Sequence, residues 1–453
     1  MAASLRDSQH ELARHAVLPE NPRVTQTTDR RRRTILGVLL VCALLFIGFL
    51  VFAHRPAIAE IAPPPRGTFA AAEIDRGAAV ALIGNCTSCH SAAGGRPFAG
   101  GVPIKTQFGT LHGTNITPDP ATGIGRWSEA AFARAMREGV ARDGSHLYPA
   151  FPYDHFSSIA DPDIHALYAY LMTRTPVRAE VPANRLIPPL GFRPLLAGWK
   201  LLFFRPARFT PAPQHDAPWN RGAYLGEALA HCSGCHSPRG PLGDEKRNRP
   251  YDGGWAEGWY APPLNASSPA VRAWTADRLH TYLRTGLSST HAAAAGPMGE
   301  VARNLAQVPD ADVRAIATYY ASLLAGAPAA RHEPALPDRK PAAAKAQPEG
   351  AALFAGACAA CHEPGAPMIV AGRPPLPLGT QFHENNPRDL IQTILHGVSP
   401  PVGAQGPYMP AFRGTLTDAQ VAKVVAYLQA RYGSVRWSNL EKEVVKARKE
   451  GQP

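Results

Sequence analysis

The chain is short of methionine, aromatic residues and acidic charge, and nearly all its cysteine falls in one pattern. Six methionines among 453 residues make any regular placement of that residue informative. Aromatics, at 8%, are too few to dominate several cores, while Pro and Gly (46 and 40) are plentiful. That balance suits short helices strung on loops around something larger than a side chain. Asp and Glu fall short of Lys and Arg by 47 − 35 = 12. No nucleic-acid-binding module accompanies the excess, so it is no argument for DNA or RNA. Histidines and carboxylates are scattered without triad or metal spacing, which leaves the chain without a substrate-activating set of its own. A single stretch is apolar for long enough to cross a bilayer.

Six of the seven cysteines lie in three copies of one motif: Cys86-Thr87-Ser88-Cys89-His90, Cys232-Ser233-Gly234-Cys235-His236 and Cys358-Ala359-Ala360-Cys361-His362. C-x-x-C-H is the attachment signal for c-type haem. Two thiols one helical turn apart bond to the porphyrin vinyl groups, and the next residue, His, sits under the iron. Structural zinc wants two Cys pairs close together, and dithiol exchange wants a βαβ setting. Neither pattern is present. Three covalent haem c groups are therefore expected, held by Cys86, Cys89, Cys232, Cys235, Cys358 and Cys361, with His90, His236 and His362 on the irons. Three sites agree with the roughly three domains that this length suggests. Haem propionates also offset part of the basic excess.

Residues 30–33 are four arginines, and residues 35–53 carry no charge. Nineteen residues rise about 28 Å as a helix, close to the hydrocarbon thickness of a membrane. The arginines place the N-terminus in the cytoplasm, so the haem segments face the periplasm of a bacterial inner membrane. A cleaved signal peptide ending at Ala57-Ile58-Ala59 is the competing reading, for which the apolar run is long. Cys42, inside this run, reads as a lipid-facing filler.

The segments around the motifs repeat. Arg76-Gly77-Ala78-Ala79, Arg221-Gly222-Ala223-Tyr224 and Glu349-Gly350-Ala351-Ala352 each precede a motif by about ten residues. Each segment ends in an amphipathic helix, predicted over 161–172, 310–324 and 417–430. The first and last helices of each repeat should cross and enclose the haem. Before the last helix each repeat has a helix stopped by glycine: Gly139, Gly286 and Gly397. Twelve residues on from Gly286 and Gly397 stand Met298 and Met409. A thioether opposite His is a known haem ligand pair that raises the potential, so these two are the expected sixth ligands. The same count from Gly139 lands on Phe151, which cannot ligate. His155, four residues on, is the preferred ligand there; Met136, Met172, His146 or an open iron are the other readings.

The connections differ in character. Residues 190–204 are apolar with Arg193, Lys200 and Arg205 interspersed; too short to span, they suit a membrane surface, a partner subunit or packing between domains. Residues 327–347, rich in Ala, Pro and Lys, read as a flexible linker. The expected layout is a cytoplasmic tail (1–34), a transmembrane anchor (35–53), haem domains at 66–185, 218–326 and 348–432, an apolar linker (186–217), the flexible linker (327–347) and a charged helical tail (433–453).

Several strings, taken together, resemble a family. They include Phe98-Ala99-Gly100-Gly101, Thr114-Asn115-Ile116-Thr117-Pro118-Asp119, Leu195-Leu196-Ala197-Gly198-Trp199-Lys200 and Gly258-Trp259-Tyr260-Ala261-Pro262. Over residues 70–432 the chain is similar to the tri-haem cytochrome c subunits of membrane-bound bacterial dehydrogenases acting on alcohols, gluconate or aldehydes. The resemblance implies a mainly α fold, three tandem class I cytochrome c-like domains behind one N-terminal transmembrane helix. It also implies a non-catalytic subunit that takes electrons from a periplasmic dehydrogenase and passes them to ubiquinone or a downstream cytochrome. The quinoprotein alcohol dehydrogenase branch has Met where Phe151 stands. The Phe-Pro-Tyr-Asp-His-Phe string is more like subunits paired with molybdopterin, iron–sulfur dehydrogenases of aldehydes or N-heterocycles. A multi-haem peroxidase, or the cytochrome c subunit of a terminal oxidase, are the alternative functions.

Overall fold

The structure, a computed structural model, describes residues 22–400, 403 and 408–450. Most of the expected cytoplasmic tail and the last three residues lie outside them. The chain divides into two units, residues 1–54 and 55–453. In the first, helix α1 covers Pro22–Ala53. Its stretch Arg30–Ala53 is 24 residues, about 36 Å of helix, and holds an 18-residue window of mean hydropathy 3.1, long and apolar enough to cross a bilayer.

The second unit is built from short helices. The first repeat holds α2 (Ala71–Ile83), α3 (Cys86–His90), the hairpin β1–β2 (Pro103–Thr106, Gly109–His112), α4 (Glu129–Glu138), α5 (Tyr153–Phe156) and α6 (Asp161–Met172). Strand β3 (Arg185–Leu186) adds antiparallel to β2, and α7 (Leu195–Phe203) follows. The second repeat has α8 (Ala217–Tyr224), α9 (Ser233–His236), the hairpin β4–β5 (Gly254–Ala256, Trp259–Ala261), α10 (Ala276–Thr285), α11 (Gly296–Leu305) and α12 (Asp310–Leu324). After α13 (Pro328–Arg331) and α14 (Lys340–Ala346) come α15 (Pro348–Ala357), α16 (Ala359–His362), α17 (Pro367–Val370), α18 (Arg388–His396), α19 (Asp418–Tyr432) and α20 (Leu440–Glu450).

Local chemistry sets the helix ends. Ser128 and Thr275 accept from the backbone N–H three residues on, at 3.2 Å each, and start α4 and α10. Thr417 and Gln420 form a reciprocal capping box on α19. Gly139 and Gly286, at φ 61° and 72°, stop α4 and α10 in the left-handed region that glycine tolerates.

In each repeat the first helix crosses the last, and the crossing point is the glycine of the repeated string. A Cβ on Gly77 would stand 1.9 Å from the Ala166 carbonyl oxygen; on Gly222, 2.0 Å from that of Ala315; on Gly350, 2.2 Å from that of Lys423. A tyrosine one turn further, Tyr170, Tyr319 or Tyr427, backs each contact. Backbones meet here as closely as side chains elsewhere, which only glycine permits. Arg76 pairs with Asp163 (2.6 Å) and Arg221 with Asp312 (2.9 Å) beside the first two crossings.

The first two repeats share one core. Val80, Leu167 and Leu171 of the first pack in the same cluster as Leu225, Leu229 and Ile316 of the second. The third repeat has its own core around Phe354, Phe382, Ile391, Leu395, Val421 and Val425. Each of these buried side chains contributes about 1.5–3 kcal/mol of transfer free energy.

Two connections differ from their sequence-based expectation. Residues 327–347, expected to be flexible, carry α13 and α14 and are tied to α19. Arg431, fully buried, holds Asp338 at 2.8 Å and Glu363 at 2.6 Å. Asp338 thereby ties this stretch to α19. The charged tail is also docked: Val444 and Ala447 of α20 are buried in the third core, and Arg448 bonds Asp418 at 2.6 Å.

Candidate haem-attachment sites

The first two motifs are held by the same loop geometry. After α3, Gly100 N–H donates to the His90 carbonyl (2.8 Å), and Phe98 N–H donates to Ser91 Oγ (2.9 Å). After α9, Gly253 N–H donates to the His236 carbonyl (2.8 Å), and Tyr251 N–H donates to Ser237 Oγ (2.9 Å). Phe98 and Tyr251 both have φ near 60°, at 61° and 60°. Such backbone is costly for aromatic residues and persists only where the surroundings enforce it. Each loop returns over its motif. A Cβ on Gly113 would lie 1.6 Å from the Cys89 carbonyl oxygen, and one on Gly254 would lie 2.4 Å from that of Cys235.

The return delivers a backbone carbonyl to each histidine. His90 Nδ1 lies 2.6 Å from the Thr114 carbonyl oxygen, and His236 Nδ1 lies 2.6 Å from that of Pro262. Nδ1–H donating to a carbonyl leaves the Nε2 lone pair for a metal, the usual support of a ligating imidazole. Burial holds both rings below the ordinary histidine pKa against the carbonyl's opposite pull, so they are neutral, the ligand form. All six motif thiols are unpaired. Burial, with Cys89 alongside, pushes Cys86 up to about 12. Two free thiols in each motif, with an oriented imidazole in the first two, fit covalent haem c.

Met298 is the third residue of α11 and packs against the core that includes Cys232. Met409 packs against the core that includes Cys358, and its carbonyl accepts from Val398 N–H at 3.0 Å. Each methionine thus shares a core with the first cysteine of its own motif. Phe151 does the same with Cys86.

His155, the expected ligand of the first iron, is engaged elsewhere in this structure. Its Nδ1 lies 2.9 Å from the Glu227 carbonyl oxygen and its Nε2 lies 3.1 Å from Glu245 Oε2. Both acceptors belong to the second repeat. Burial alone would lower its pKa, but Glu245 and Asp154 outweigh that and bring it up to about 9. Held in this way, His155 ties the first repeat to the second. Met136 and Met172 are buried in the first core, and His146 Nδ1 lies 3.1 Å from Lys200 Nζ.

The second repeat touches both neighbours through the segments that carry its own site. Asn304, on the helix that carries Met298, bonds Asn85, which caps the first motif helix. Tyr224 OH donates to Asp163 at 2.5 Å. On the other side Asp389 accepts from Tyr260 N–H (2.8 Å), and Gln392 donates to the Gly258 carbonyl (3.0 Å). Trp259 lies against Gly296, two residues before Met298, where a Cβ would be 2.3 Å from the ring. Its other contact is His396, centroids 6.4 Å apart, the residue before Gly397. Gly397 in turn rests on Met409, a Cβ there falling 2.4 Å from that carbonyl oxygen. Trp259 therefore stands between the two methionine segments.

Comparison with known proteins agrees with these arrangements. The cytochrome c family model matches residues 74–175, and the model of cytochrome c oxidase, cbb3-type, subunit III matches residues 345–428. The fructose dehydrogenase cytochrome subunit of Gluconobacter japonicus is 35% identical over 414 residues, 85% of this chain and 81% of that one. The gluconate 2-dehydrogenase cytochrome c subunit of Pantoea cypripedii is 37% identical over 383 residues, 80% of this chain and 86% of that one. The chain belongs to the cytochrome c subunits of membrane dehydrogenases. Members of this family transfer electrons and are not the catalytic subunits, and their cytochrome c domains imply covalent haem c. A nicotinate dehydrogenase subunit of Pseudomonas putida is 44% identical over 435 residues, 95% of this chain. The chain spans 36% of that protein's length. The oxidase model covers only the third repeat, whereas the dehydrogenase cytochrome subunits align over most of the chain, so the oxidase reading is the weaker one.

The supporting loops were not among the sequence-based expectations, yet they carry a readable signal. Phe98-Ala99-Gly100-Gly101 and Tyr251-Asp252-Gly253-Gly254 stand at related positions after their motifs. An aromatic followed by paired glycines twice over marks a left-handed turn that closes on the motif.

Proposed function

We propose that this cytochrome subunit is a tri-haem relay between a periplasmic dehydrogenase and ubiquinone or a downstream cytochrome, anchored in the inner membrane by residues 35–53. Each repeat acts as one cytochrome c domain, with bounds 66–185, 218–326 and 348–432. Cys86 and Cys89, Cys232 and Cys235, and Cys358 and Cys361 tether the three groups. His90, His236 and His362 would hold the irons, with Met298 and Met409 as further ligands in the second and third domains. Haem c supplies reversible one-electron storage at its iron. The chain's own residues fix its place and tune it: the Thr114 and Pro262 carbonyls orient the histidines, and burial excludes water. The first site, with Phe151 at the methionine position and His155 held by Glu245, differs in potential from the other two or is open to added ligands.

The observation that carries the relay reading is the two-sided contact of the second repeat, made through the helix that bears Met298 and the hairpin that closes over its motif. It supports an order in which the second site lies between the other two. The partner is a molybdopterin, iron–sulfur dehydrogenase of an aldehyde or N-heterocycle, a reading supported by the likeness to the nicotinate dehydrogenase subunit; a quinoprotein alcohol dehydrogenase is the second reading. Purifying the chain from its own membranes and identifying the subunits that come with it tests this. A molybdenum-containing partner whose N-heterocycle or aldehyde substrate reduces the cytochrome is the expected result; a quinoprotein partner would overturn that choice.

A further inference from the structure

Helix α7 presents an apolar face that nothing among the described residues of the second unit covers. Leu196 and Ala197 are buried beneath it, while Leu201 and Leu202 are 64% and 61% exposed. Leu195, one heptad before Leu202, is exposed on the same side, as is Phe192 just before the helix. Arg193 and Arg205 flank this face. The inner side is firmly held: Lys200 Nζ donates to the carbonyls of Glu138 (2.6 Å) and Gly139 (2.7 Å), and Arg193 to that of His146 (2.9 Å). Trp199 Nε1 donates to the Leu242 carbonyl at 3.0 Å. A helix so fixed cannot fold its leucines inward.

The same loop, residues 139–146, also receives the chain that leaves the anchor. The Arg55 carbonyl oxygen would be 2.0 Å from a Cβ on Gly144, Arg134 donates to the Pro56 carbonyl (2.7 Å), and Ile58 N–H donates to that of Arg142 (2.8 Å). Arg55 and Lys200 are within electrostatic reach of one another. Ala53 ends the apolar helix, and two residues of extended chain reach about 7 Å. Wherever the bilayer holds that helix, Arg55 and the loop it packs on stay near the membrane surface. With nine residues, about 13 Å, α7 cannot span. An exposed leucine face flanked by arginines, beside the point where the anchor joins, has the chemistry of an interfacial helix.

We infer that α7 lies in the headgroup and upper acyl region of the same membrane, with Phe192, Leu195, Leu201 and Leu202 in the lipid and Arg205 at phosphate level. The inference rests on the anchor reading and adds a second, rigid attachment that fixes the orientation of the first repeat to the bilayer. A dehydrogenase subunit seated on this face is the rival occupant.

The test uses the full-length, haem-loaded chain in phospholipid nanodiscs doped with a lipid that carries a photoactivatable group at the top of its acyl chain. Crosslinks are mapped by peptide mass. Lipid adducts on the peptide covering residues 192–204, as well as on the anchor, are expected. In the L201D/L202D variant the α7 adducts should fall about tenfold or more, as the lost apolar burial implies, while the anchor adducts and the haem spectrum stay unchanged. Adducts on the anchor but none on α7 would overturn the inference, as would α7 adducts indifferent to the two aspartates. Protection of residues 192–204 only after a dehydrogenase subunit is added would assign the face to that partner. Absence of adducts on the anchor would instead strike the anchor reading itself.

Discussion

One helix of the third repeat offers the same substitution twice with opposite expected signs. Gly350 and Gly356 both lie in α15. A Cβ on Gly350 would stand 2.2 Å from the Lys423 carbonyl oxygen and 2.9 Å from Tyr427 Cβ; one on Gly356 meets nothing within 4 Å. In Gly350→Ala, reaching ordinary contact at about 3.4 Å requires α15 and α19 to separate by about 1.2 Å, and overpacking of this kind costs about 1–3 kcal/mol or more. The gain in helix propensity, about 0.4–1 kcal/mol, offsets only part of that. Gly356→Ala collects the gain without the clash. For a transition confined to a domain of this size, each kcal/mol moves the midpoint by about 4–8 °C. Calorimetry of the whole oxidised chain should show the third-repeat transition about 5–15 °C lower in Gly350→Ala and a few degrees higher in Gly356→Ala. Equal shifts in the two variants would refute the backbone-to-backbone crossing as the reason for the repeated glycine.

Met298→Ala and Met409→Ala should each lower the potential of one haem, by an amount on the order of 100 mV, and leave the other two nearly unchanged in a redox titration; a variant that moves none of the three is not a ligand change. His155 has its folded pKa raised to about 9 from about 6.5 unfolded, so its stabilisation is full below about pH 6.5 and disappears as pH rises through 9, up to about 3 kcal/mol in all. The thermal stability gap between the parent chain and H155Q should close over that interval; a constant gap, or a shifted haem potential at all pH values, would restore His155 as a ligand. If His155 is not the ligand, carbon monoxide binding by the ferrous protein should be the same in the parent and in H155A, and new binding in the variant alone would show that the side chain occupied the iron. Deleting residues 1–54 behind a cleavable signal peptide should give haem-loaded protein with weak vesicle binding that remains at α7; tight membrane binding would show that α1 is not the main anchor.

The parts of the site that were legible in the sequence are those whose chemistry needs a residue type at a fixed spacing. C-x-x-C-H is one; the count of twelve from Gly286 to Met298 and from Gly397 to Met409 is a second such spacing, whose ligand role is part of the proposal. Helix bounds were equally readable where a cap and an apolar period agreed: 161–172 and 310–324 match α6 and α12. Contacts made by backbone were not. The carbonyls that orient His90 and His236 come from Thr114 and Pro262, and any residue type supplies a carbonyl. His155 reads as a ligand candidate because it stands near a gap in the methionine pattern. Its partners Glu227 and Glu245 lie 72 and 90 residues on, beyond any local signal. The Ala, Pro and Lys composition of 327–347 gave no hint of Arg431, because a buried ion pair across 93 residues leaves no mark on either segment alone.

Three loaded attachment sites in one chain are the central claim, and the mass of the denatured full-length protein tests it most directly. Thioether bonds survive denaturation, so the polypeptide should carry the added mass of three haems, and proteolysis should return one haem on each of the peptides holding Cys86 and Cys89, Cys232 and Cys235, and Cys358 and Cys361. A fully matured preparation that carries two haems or fewer would contradict the tri-haem relay.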